Sequence, residues 1–394
     1  MDRKTWGVGA ARAAYKSART TRVIALLASL LCAQLLISPA TAAPLTFPAQ
    51  EPIPQTQKQY RLFRGRLFHS YDLKLVDAPV PRPGPFEVLV KVRAVSLNHR
   101  DLYIANGTYP LKPRKSLVPI SDGAGEVVAI GGNVTRFKIG DRVAAIYYQN
   151  WFGGNASAQI AESALGGELD GMLTQYVKLN EQGLVALPIN LSFEEGATLP
   201  CAGVTAWTAL FSRGDLKPGE TVLLEGTGGV SIFGLQFAAA QRAKPIITSS
   251  SDKKLERARL IGAIGTINYK DDEDWEVTVR ELTDGVGVRH VLDVGGEDTL
   301  PHAVAALANG GQIALIGGLG GFGGKIPALS LIPSRATVNG VSVGSREDFE
   351  AMNAFIEKNN VRPVIDKVFE FADAQAAYEL MDSGGHFGKI VIRM

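Results

Sequence analysis

The stretch that decides the fold is residues 219–240, GETVLLEGTGGVSIFGLQFAAA. An apolar run at 221–224 leads into a cluster of glycines, which opens directly into a segment rich in alanine, leucine and phenylalanine. This order predicts a strand, a tight turn and a helix, the arrangement that builds a dinucleotide site. The usual spacing G-x-G-x-x-G is incomplete, because Ser231 stands where the third glycine is expected.

The glycines of this turn have separate predicted roles. Gly226 permits the tight turn, Gly228 lets the backbone approach a pyrophosphate, and Gly229 is expected to keep that surface open. The third glycine normally serves helix–strand packing, so Ser231 weakens the signature without removing the site. The predicted phosphate-binding turn consists of Gly226, Thr227, Gly228, Gly229 and Val230. The alternative is a glycine turn that only reverses the chain.

The residues that follow the second predicted strand favour NADP(H) over NAD. An NAD site usually places an acidic residue about 20 positions after the glycines, where it binds the ribose hydroxyls. Residues 246–250 contain no acid, and Ser249 and Ser250 stand there, followed by Lys254. Hydroxyl and ammonium groups suit an additional phosphate, and Tyr269 could add a hydroxyl. The alternative is that Lys254 belongs to a solvated helix face.

The pattern along the chain predicts an α/β protein with a doubly wound parallel sheet of the Rossmann type. Short apolar strands separated by turns precede the glycine turn, whereas strands alternate with helical segments after it. The predicted organisation is a leader at 1–43, a proline-rich linker at 44–59, a β-rich domain at 60–185, a cofactor domain at 186–330, and a C-terminal segment at 331–394 that completes the β-rich domain.

Composition excludes several other classes of protein. The 394 residues are 46% hydrophobic and 20% charged, with a net charge of +2, which fits a globular chain. Basic residues and aromatic residues do not form a common patch, so nucleic-acid binding has no support. The only cysteines are Cys32 and Cys201, too few for a structural zinc cluster.

The N-terminus resembles a secretory signal peptide. Residues 23–37, VIALLASLLCAQLLI, follow several basic residues and precede an A-x-A cleavage pattern at 40–42. The run of 15 residues is short for a membrane span. We therefore expect export to a compartment such as the periplasm, with no stable membrane span after cleavage. An organelle transit segment, an uncleaved anchor and a cytoplasmic location are the alternatives.

Several linked motifs resemble the medium-chain dehydrogenase/reductase superfamily, in its zinc-independent, quinone-oxidoreductase-like branch. They are SLNHRDLYIANGTYP (96–110), LPCAGVTAW (199–207), EGTGGVS (225–231), GTINY (265–269) and GGHFGKIVI (384–392). The resemblance covers residues 60–394. It implies that the β-rich domain is a GroES-like catalytic domain, that NADP(H) binds in the cleft between domains, and that the protein is a homodimer.

The resemblance also implies roles for single residues. Asn98, Tyr103 and Tyr109 match the asparagine and two tyrosines that line the nicotinamide pocket in quinone-reductase relatives. Thr205 matches a position near the nicotinamide carboxamide, and Lys389 one near the cofactor phosphates. As alternatives, Asn98 caps a turn, the tyrosines are packed rings, and Lys389 is a surface residue of its strand.

Zinc is not expected. Zinc-dependent members of the superfamily place a cysteine at the position of Asn98 and a Gly-His-Glu sequence at residues 120–122, which read Ile-Ser-Asp here. Only Cys201 falls near a third ligand position, and one thiol cannot make a catalytic zinc site. Arg100 and Asp101 are interpreted as a structural ion pair with no assigned chemistry.

The predicted function is therefore reduction of a quinone, an enone or a related carbonyl by NADPH, without metal. The protein positions the two reactants and polarises the carbonyl oxygen. One alternative is an alcohol or aldehyde dehydrogenase. Another is an NADPH-binding protein with no catalytic activity.

Overall fold

Two kinds of sheet organise the chain, one mostly antiparallel and one entirely parallel. A computed structural model describes residues 52–64, 71–110, 114–321, 323 and 328–394. Its helices and strands all lie in one compact unit, Ile53–Met394. The leader predicted at 1–43 lies outside the described residues. No described helix combines the length and the apolar character that crossing a membrane would require.

Strands form most of the N-terminal part and return at the C-terminus. They are β1 (Thr56–Arg64), β2 (Tyr71–Pro79), β3 (Glu87–Leu97), β4 (Ser116–Leu117), β5 (Asp122–Ile130), β6 (Arg142–Ala145), β7 (Tyr176–Asn180) and β8 (Leu184–Ala186), followed by the central strands β9 (Thr221–Leu224), β10 (Lys244–Ser249), β11 (Gly265–Asn268), β12 (Val288–Asp293), β13 (Leu307–Leu315) and β14 (Thr337–Gly340), and finally β15 (Ile365–Glu370) and β16 (Lys389–Arg393).

Most of the helices lie in the second half of the chain. They are α1 (His99–Ala105), α2 (Phe193–Gly196), α3 (Val204–Trp207), α4 (Gly229–Ala240), α5 (Asp252–Leu260), α6 (Trp275–Glu281), α7 (Leu300–Ala306), α8 (Ala328–Ser334), α9 (Arg346–Asn359) and α10 (Ala374–Asp382). Two π-helical segments, Leu199–Gly203 and Thr208–Ser212, flank α3. Short 3-10 turns lie at Ala158–Ser163, Glu181–Gly183 and Phe371–Asp373.

The β-rich domain contains a seven-stranded sheet in the order β15-β16-β3-β5-β6-β8, with β7 also paired to β3. The first half of β3 pairs with β7, and its last residues pair with β16 on the same side. A separate sheet has the order β2-β1-β4. Strand β16 therefore lies next to the start of α1, where the predicted site residue Asn98 is located.

The parallel sheet has the order β11-β10-β9-β12-β13-β14, the doubly wound arrangement predicted from the sequence. Val222 and Leu224 of β9 pack in one core cluster with Phe233 of α4. Leu223 points to the other cluster, which contains Trp275 of α6. Helices cover both faces, which explains why β9 is apolar at successive positions. The strand order reverses between β10 and β12 around β9, so the cofactor crevice is expected at the carboxyl end of β9.

Two predicted boundaries differ from the structure. Strand β14 pairs with β13, so the parallel sheet extends to Gly340 and not to residue 330. Strand β1 begins at Thr56, inside the predicted linker at 44–59. Both differences have the same cause, since a strand is assigned to a sheet by its hydrogen-bonded neighbour, which local composition does not reveal. Strands β15 and β16 join the sheet of β3.

Candidate active site

The predicted glycine turn connects β9 to α4. Gly226 has a φ of +70°, which glycine adopts without strain, and its N–H donates to Thr248 Oγ1 at 3.2 Å. Gly228 is the N-cap residue of α4 in an extended conformation. A Cβ built on either glycine would have no described atom within 4 Å. The surface beside the helix N-terminus is therefore open, as a pyrophosphate requires.

The packing role expected of the third glycine belongs to a different residue. Ser231 is buried, and its hydroxyl donates to the carbonyl of Glu225 at 2.6 Å, which ties the first turn of α4 to the end of β9. One turn later, a Cβ on Gly234 would lie 2.7 Å from Leu224 Cδ2 and 3.0 Å from Leu292 Cδ2. Gly234 is thus the glycine that lets α4 approach the sheet.

Gly229 does not keep the phosphate surface open, and the prediction of that role is wrong. A Cβ at this position would lie 2.7 Å from Lys389 Cδ and 3.1 Å from Ala202 Cβ. Gly388 N donates to Thr227 O at 3.0 Å, so the start of β16 runs directly beside the turn. Gly229 therefore makes room for the Lys389 stem. Val230 is half-buried in the first turn of α4, and Thr227 is buried.

Lys389 lies deep between the turn and the β-rich domain, with 3% of its surface exposed. Its Nζ donates to Leu97 O and to Asn98 Oδ1, each at 2.6 Å. Burial lowers the pKa of this ammonium, while the Asp122 carboxylate opposes that change. The alternative of a surface lysine is wrong. The two hydrogen bonds of the ammonium both go to the β-rich domain, at the end of β3 and the start of α1.

Asn98 and Asp122 belong to the same buried cluster as Lys389. Asn98 is the N-cap residue of α1, and its backbone N–H donates to Asp101 Oδ2 at 2.8 Å. Asp122 accepts from Ser121 Oγ at 2.7 Å and from Cys201 N at 3.1 Å. Burial raises the pKa of Asp122, although Lys389 and Asn98 favour its ionised form. Asn98 therefore both caps α1 and holds the lysine.

The two predicted tyrosines have different surroundings. Tyr109 is half-buried, with the guanidinium of Arg100 5.4 Å from its ring centre. Tyr147, which the sequence analysis did not select, lies 4.7 Å from the same guanidinium. Tyr103 instead packs edge-on against His99, with ring centres 4.6 Å apart. The structure thus brings Tyr109, Tyr147 and Arg100 together. The sequence analysis interpreted Arg100 only as the partner of Asp101 in a structural ion pair.

The residues predicted to select NADP(H) gather at the carboxyl ends of β10 and β11. Ser249 ends β10, and its carbonyl accepts from Tyr269 N at 3.1 Å. Ser250 follows it, and Lys254 lies in the first turns of α5. Lys254 Nζ donates to Gly384 O at 2.8 Å, and burial lowers its pKa. The ammonium is therefore tethered to the turn at Gly384, and Lys254 is only partly exposed.

Thr205 is buried in α3, the short α-helical part between the two π-helical segments. The preceding segment carries Cys201 and Ala202, and Ala202 contacts the position of Gly229. Thr205 therefore follows, by one turn, the segment that separates the glycine turn from the Arg100 cluster. Insertions of π geometry are frequent at functional sites.

Comparison with known proteins agrees with this geometry. The family model described as an alcohol dehydrogenase GroES-like domain matches residues 84–189, and the one described as a zinc-binding dehydrogenase matches residues 229–358. A zinc-type alcohol dehydrogenase-like protein of Schizosaccharomyces pombe is 46% identical over 329 residues, which cover 82% of this chain and 95% of that protein. The chain belongs to the medium-chain dehydrogenase/reductase superfamily.

Other members of the superfamily extend the likeness to the whole folded region. A quinone oxidoreductase of Pseudomonas aeruginosa is 34% identical over 317 residues, covering 78% of this chain and 90% of that protein. A crystal structure from Sinorhizobium meliloti, named as an alcohol dehydrogenase, superposes with a TM-score of 0.82 at 38% identity, covering 87% of this chain and all of that one. The protein is an NAD(P)H-dependent oxidoreductase with a GroES-like domain and a Rossmann domain.

Zinc is part of the names of several relatives, so the fit of the residues to that metal needs a test. The positions compared with the zinc-dependent members are Asn98, residues 120–122 and Cys201. The Lys389 ammonium already bonds Asn98, and it interacts with the charges of Asp122 and Cys201. Burial and Asp122 raise the pKa of the Cys201 thiol, whereas zinc binds the thiolate. The described part of the chain holds no group of three or more His, Cys, Asp or Glu suited to a metal. These residues do not fit a catalytic zinc.

Proposed function

We propose that this enzyme uses NADP(H) to reduce a conjugated carbonyl, either a quinone or an enone, without a metal ion. The observation that most supports the proposal is the buried Lys389 ammonium, which bonds Asn98 and lies beside Asp122 and Cys201. A fixed positive charge replaces a metal at these positions. Hydride transfer to a conjugated carbonyl requires positioning and an oxygen-polarising donor rather than a Lewis acid.

The chain's own residues have a distinct task in each part of the cleft. The reduced nicotinamide supplies the hydride when it is bound. The backbone from Gly226 to Val230 and the start of α4 would hold the pyrophosphate. Thr205 would lie near the carboxamide, as the resemblance implies. Tyr109 and Asn98 would lie on the substrate side, where the packed β-rich domain excludes water.

Preference for NADP(H) is supported by the charge around the end of β10. Ser249 and Ser250 stand where an NAD enzyme has an acid, and Lys254 follows them in the first turns of α5. Asp252 is the nearest acid in sequence, but its Oδ1 accepts a hydrogen bond from Asn268 Nδ2 at 3.0 Å. A 2′-phosphate would therefore meet a cation and hydroxyl donors, and an NAD ribose would lack its acidic partner.

A panel of substrates tests the proposal. Purified protein is mixed with NADPH and separately with a quinone, an enone or an aldehyde, and with NADP⁺ and a primary alcohol, while the reduced cofactor is followed optically. Turnover with a quinone or an enone by protein that contains no stoichiometric zinc is the expected result. Stoichiometric zinc with turnover of the alcohol would establish the alternative of an alcohol dehydrogenase. Tight NADPH binding without turnover of any compound would establish a non-catalytic binding protein.

We also propose that the enzyme is a homodimer joined along the edge of its parallel sheet. Strand β14 ends that sheet, with β13 as its only partner among the described strands. The neighbouring α8 exposes Leu329 and Ile332, which are 82% and 72% accessible. An open strand edge beside exposed apolar side chains is a surface that a second copy can cover.

Export remains a separate proposal, which rests on the sequence of residues 1–43 alone. A cofactor such as NADPH is not expected outside the cytoplasm, so export would require the enzyme to cross the membrane with its cofactor bound. N-terminal sequencing of the native protein from each cell fraction tests this. Recovery of a chain that starts near residue 43 from an exported fraction is expected. Recovery of the intact N-terminus from the cytoplasm would overturn it.

A further inference from the structure

Arg100 carries two hydrogen-bond donors that nothing in the described structure satisfies. It is the second residue of α1 and is 9% exposed. Its Nη1 donates to Leu165 O at 3.0 Å, but Nε and Nη2 are buried without a hydrogen-bond partner. A charged donor that is buried without a partner costs free energy of folding. In native proteins such a group is explained by a catalytic role or by a bound water or ion.

The two free donors lie on one edge of the guanidinium. In arginine, Nε–H and an N–H of Nη2 point in the same direction and form a fork that suits oxygen acceptors. Tyr147 and Tyr109 contact the guanidinium through their rings, at 4.7 and 5.4 Å from the ring centres. Contacts of this type engage the flat face of the group and leave its in-plane donors free. The tyrosines therefore hold the fork without occupying it.

The nearby charges do not satisfy the fork either. Asp101 Oδ1 lies 3.6 Å from Nη1, on the side already bound to Leu165. Burial lowers the pKa of Arg100, but Tyr147 and Asp101 more than offset this, so the group stays charged. Asp122 interacts electrostatically with the second buried cation, Lys389. The Nε–Nη2 edge of Arg100 is therefore the cationic group of this cluster that is available to an oxygen that gains negative charge.

Two neighbouring residues link the surroundings of Arg100 to the cofactor side of the protein. Cys201 lies near enough to Arg100 to affect its pKa, and it directly precedes Ala202. Ala202 Cβ lies 3.1 Å from the position of a Cβ on Gly229, at the start of α4. Cys201 and Ala202 thus connect the surroundings of Arg100 with those of the glycine turn.

We propose that the Nε–Nη2 edge of Arg100 binds the carbonyl oxygen of the substrate and stabilises the negative charge that develops there. The inference rests on the proposed function. Hydride from the reduced nicotinamide forms a C–H bond at the β-carbon of an enone, and the cofactor is oxidised by two electrons. The C=C π pair moves to the bond between the α-carbon and the carbonyl carbon, and the C=O π pair moves to the oxygen. Solvent then supplies a proton to the enolate at the α-carbon.

The test compares Arg100→Met and Arg100→Lys with the control Arg114→Met. Arg114 donates to Gly167 O and Glu168 O, in the same loop as Leu165, whose carbonyl accepts from Arg100. Arg114→Met therefore removes hydrogen bonds to the same loop without changing the Arg100 cluster. Each variant is assayed for NADPH affinity, Tm and kcat/KM with a series of enones that differ in electron withdrawal at the carbonyl. Arg100→Met should lower kcat/KM by about 10²–10³-fold, the usual effect of removing one donor to a developing oxyanion. NADPH affinity should stay within a factor of about 3, and Arg100→Lys should recover part of the loss.

Sensitivity to the substituents separates substrate binding from a structural role. Without the fork, the enone itself must bear the charge, so the dependence of kcat/KM on electron withdrawal should become steeper in Arg100→Met. A loss of activity with unchanged substituent dependence, or behaviour equal to that of Arg114→Met, would overturn the role of Arg100 while the proposed function stands. Absence of turnover by the unmodified enzyme with every quinone and enone would overturn both proposals together.

Discussion

Glu225, the residue before the glycine turn, shows how burial controls a single carboxyl group. It lies next to Asp293 at the carboxyl end of the parallel sheet, and burial followed by the Asp293 charge raises its pKa well above the usual value. Asp293 accepts from Gly296 N at 2.8 Å and from Thr299 Oγ1 at 3.0 Å, contacts that favour its ionised form. Burial also raises the pKa of Asp293, against these contacts, but the pKa of Glu225 is raised further, so Glu225 is the member of the pair that keeps its proton to higher pH.

We predict that Glu225→Gln stabilises the protein increasingly as pH rises. Above about pH 4.5 the unfolded chain ionises Glu225 while the folded chain keeps it protonated. The unmodified protein then loses up to about 1.4 kcal/mol of unfolding free energy per pH unit, until the folded pKa is reached. Glutamine has no such dependence. Tm measured from pH 5 to pH 8 should diverge between the two proteins, whereas the exposed control Glu256→Gln should stay parallel to the unmodified protein. Parallel curves for Glu225→Gln would contradict the raised pKa.

Lys254 provides the residue-scale test of cofactor preference. Lys254→Ala should weaken NADPH binding by about 10- to 100-fold, the usual value of a charge-assisted hydrogen bond, and change NADH binding little. Lys244 lies at the amino end of the same strand, β10, so Lys244→Ala removes an equal charge at the opposite edge of the sheet. Dissociation constants from cofactor fluorescence are the measurement. Equal losses for both cofactors would contradict a 2′-phosphate site.

At the scale of one element, the glycines of the β9–α4 unit have different roles, some in packing and some in the predicted binding of the cofactor. Gly234 faces Leu224 and Leu292 across the helix–sheet interface, while Gly228 faces open space. Sequence alone ranks the first glycines of the motif as functional and leaves Gly234 unremarked. The reason is that the close approach at Gly234 depends on where α4 crosses β9 and β12.

We expect Gly234→Ala to lower the stability of the protein and Gly228→Ala to weaken cofactor binding. The added methyl group at position 234 would overlap two leucine side chains and lower the unfolding free energy by about 1–3 kcal/mol, with some recovery from the higher helix propensity of alanine. Gly228 has a negative φ and no atom near its Cβ position, so the alanine variant should keep its stability. Its methyl group would stand on the face where the pyrophosphate approaches. Urea denaturation and cofactor titration of both variants are the measurements. If Gly228→Ala binds the cofactor as tightly as the unmodified protein, the pyrophosphate does not approach this face.

At the scale of the whole molecule, the exposed edge of β14 predicts the assembly. Changing both Leu329 and Ile332 to lysine should convert a dimer to a monomer, because two charges would be buried without partners. Leu260, which is 87% exposed at the end of α5, offers a control of similar exposure on another surface. Sedimentation velocity distinguishes the two states. A monomeric unmodified protein, or a dimer that persists in the double variant, would contradict this interface.

Features formed by residues close together in the sequence could be predicted, whereas features formed by residues far apart in the sequence could not. The doubly wound sheet and the turn at Gly226 and Gly228 were predicted correctly, since strand, turn and helix signals lie within about 20 residues of one another. The role of Gly229 and the hydrogen bond between Lys389 and Asn98 were not predicted, because Lys389 reaches Asn98 across 291 positions of sequence. Tyr103 and Tyr109 share one motif, but helical geometry and the following turn place them in different surroundings.

The sequence by itself determined the superfamily, the order of its two domains and the position of the phosphate-binding turn, because these depend on local periodicity and on glycines with fixed spacing. Only the tertiary structure decided which charges meet in the cleft. Strand β16 places Lys389 against Asn98 and Asp122, and α1 places Arg100 between Tyr109 and Tyr147. The physical reason is that burial and pairing set the state of an ionisable group, and both depend on residues brought together by sheet pairing rather than by sequence.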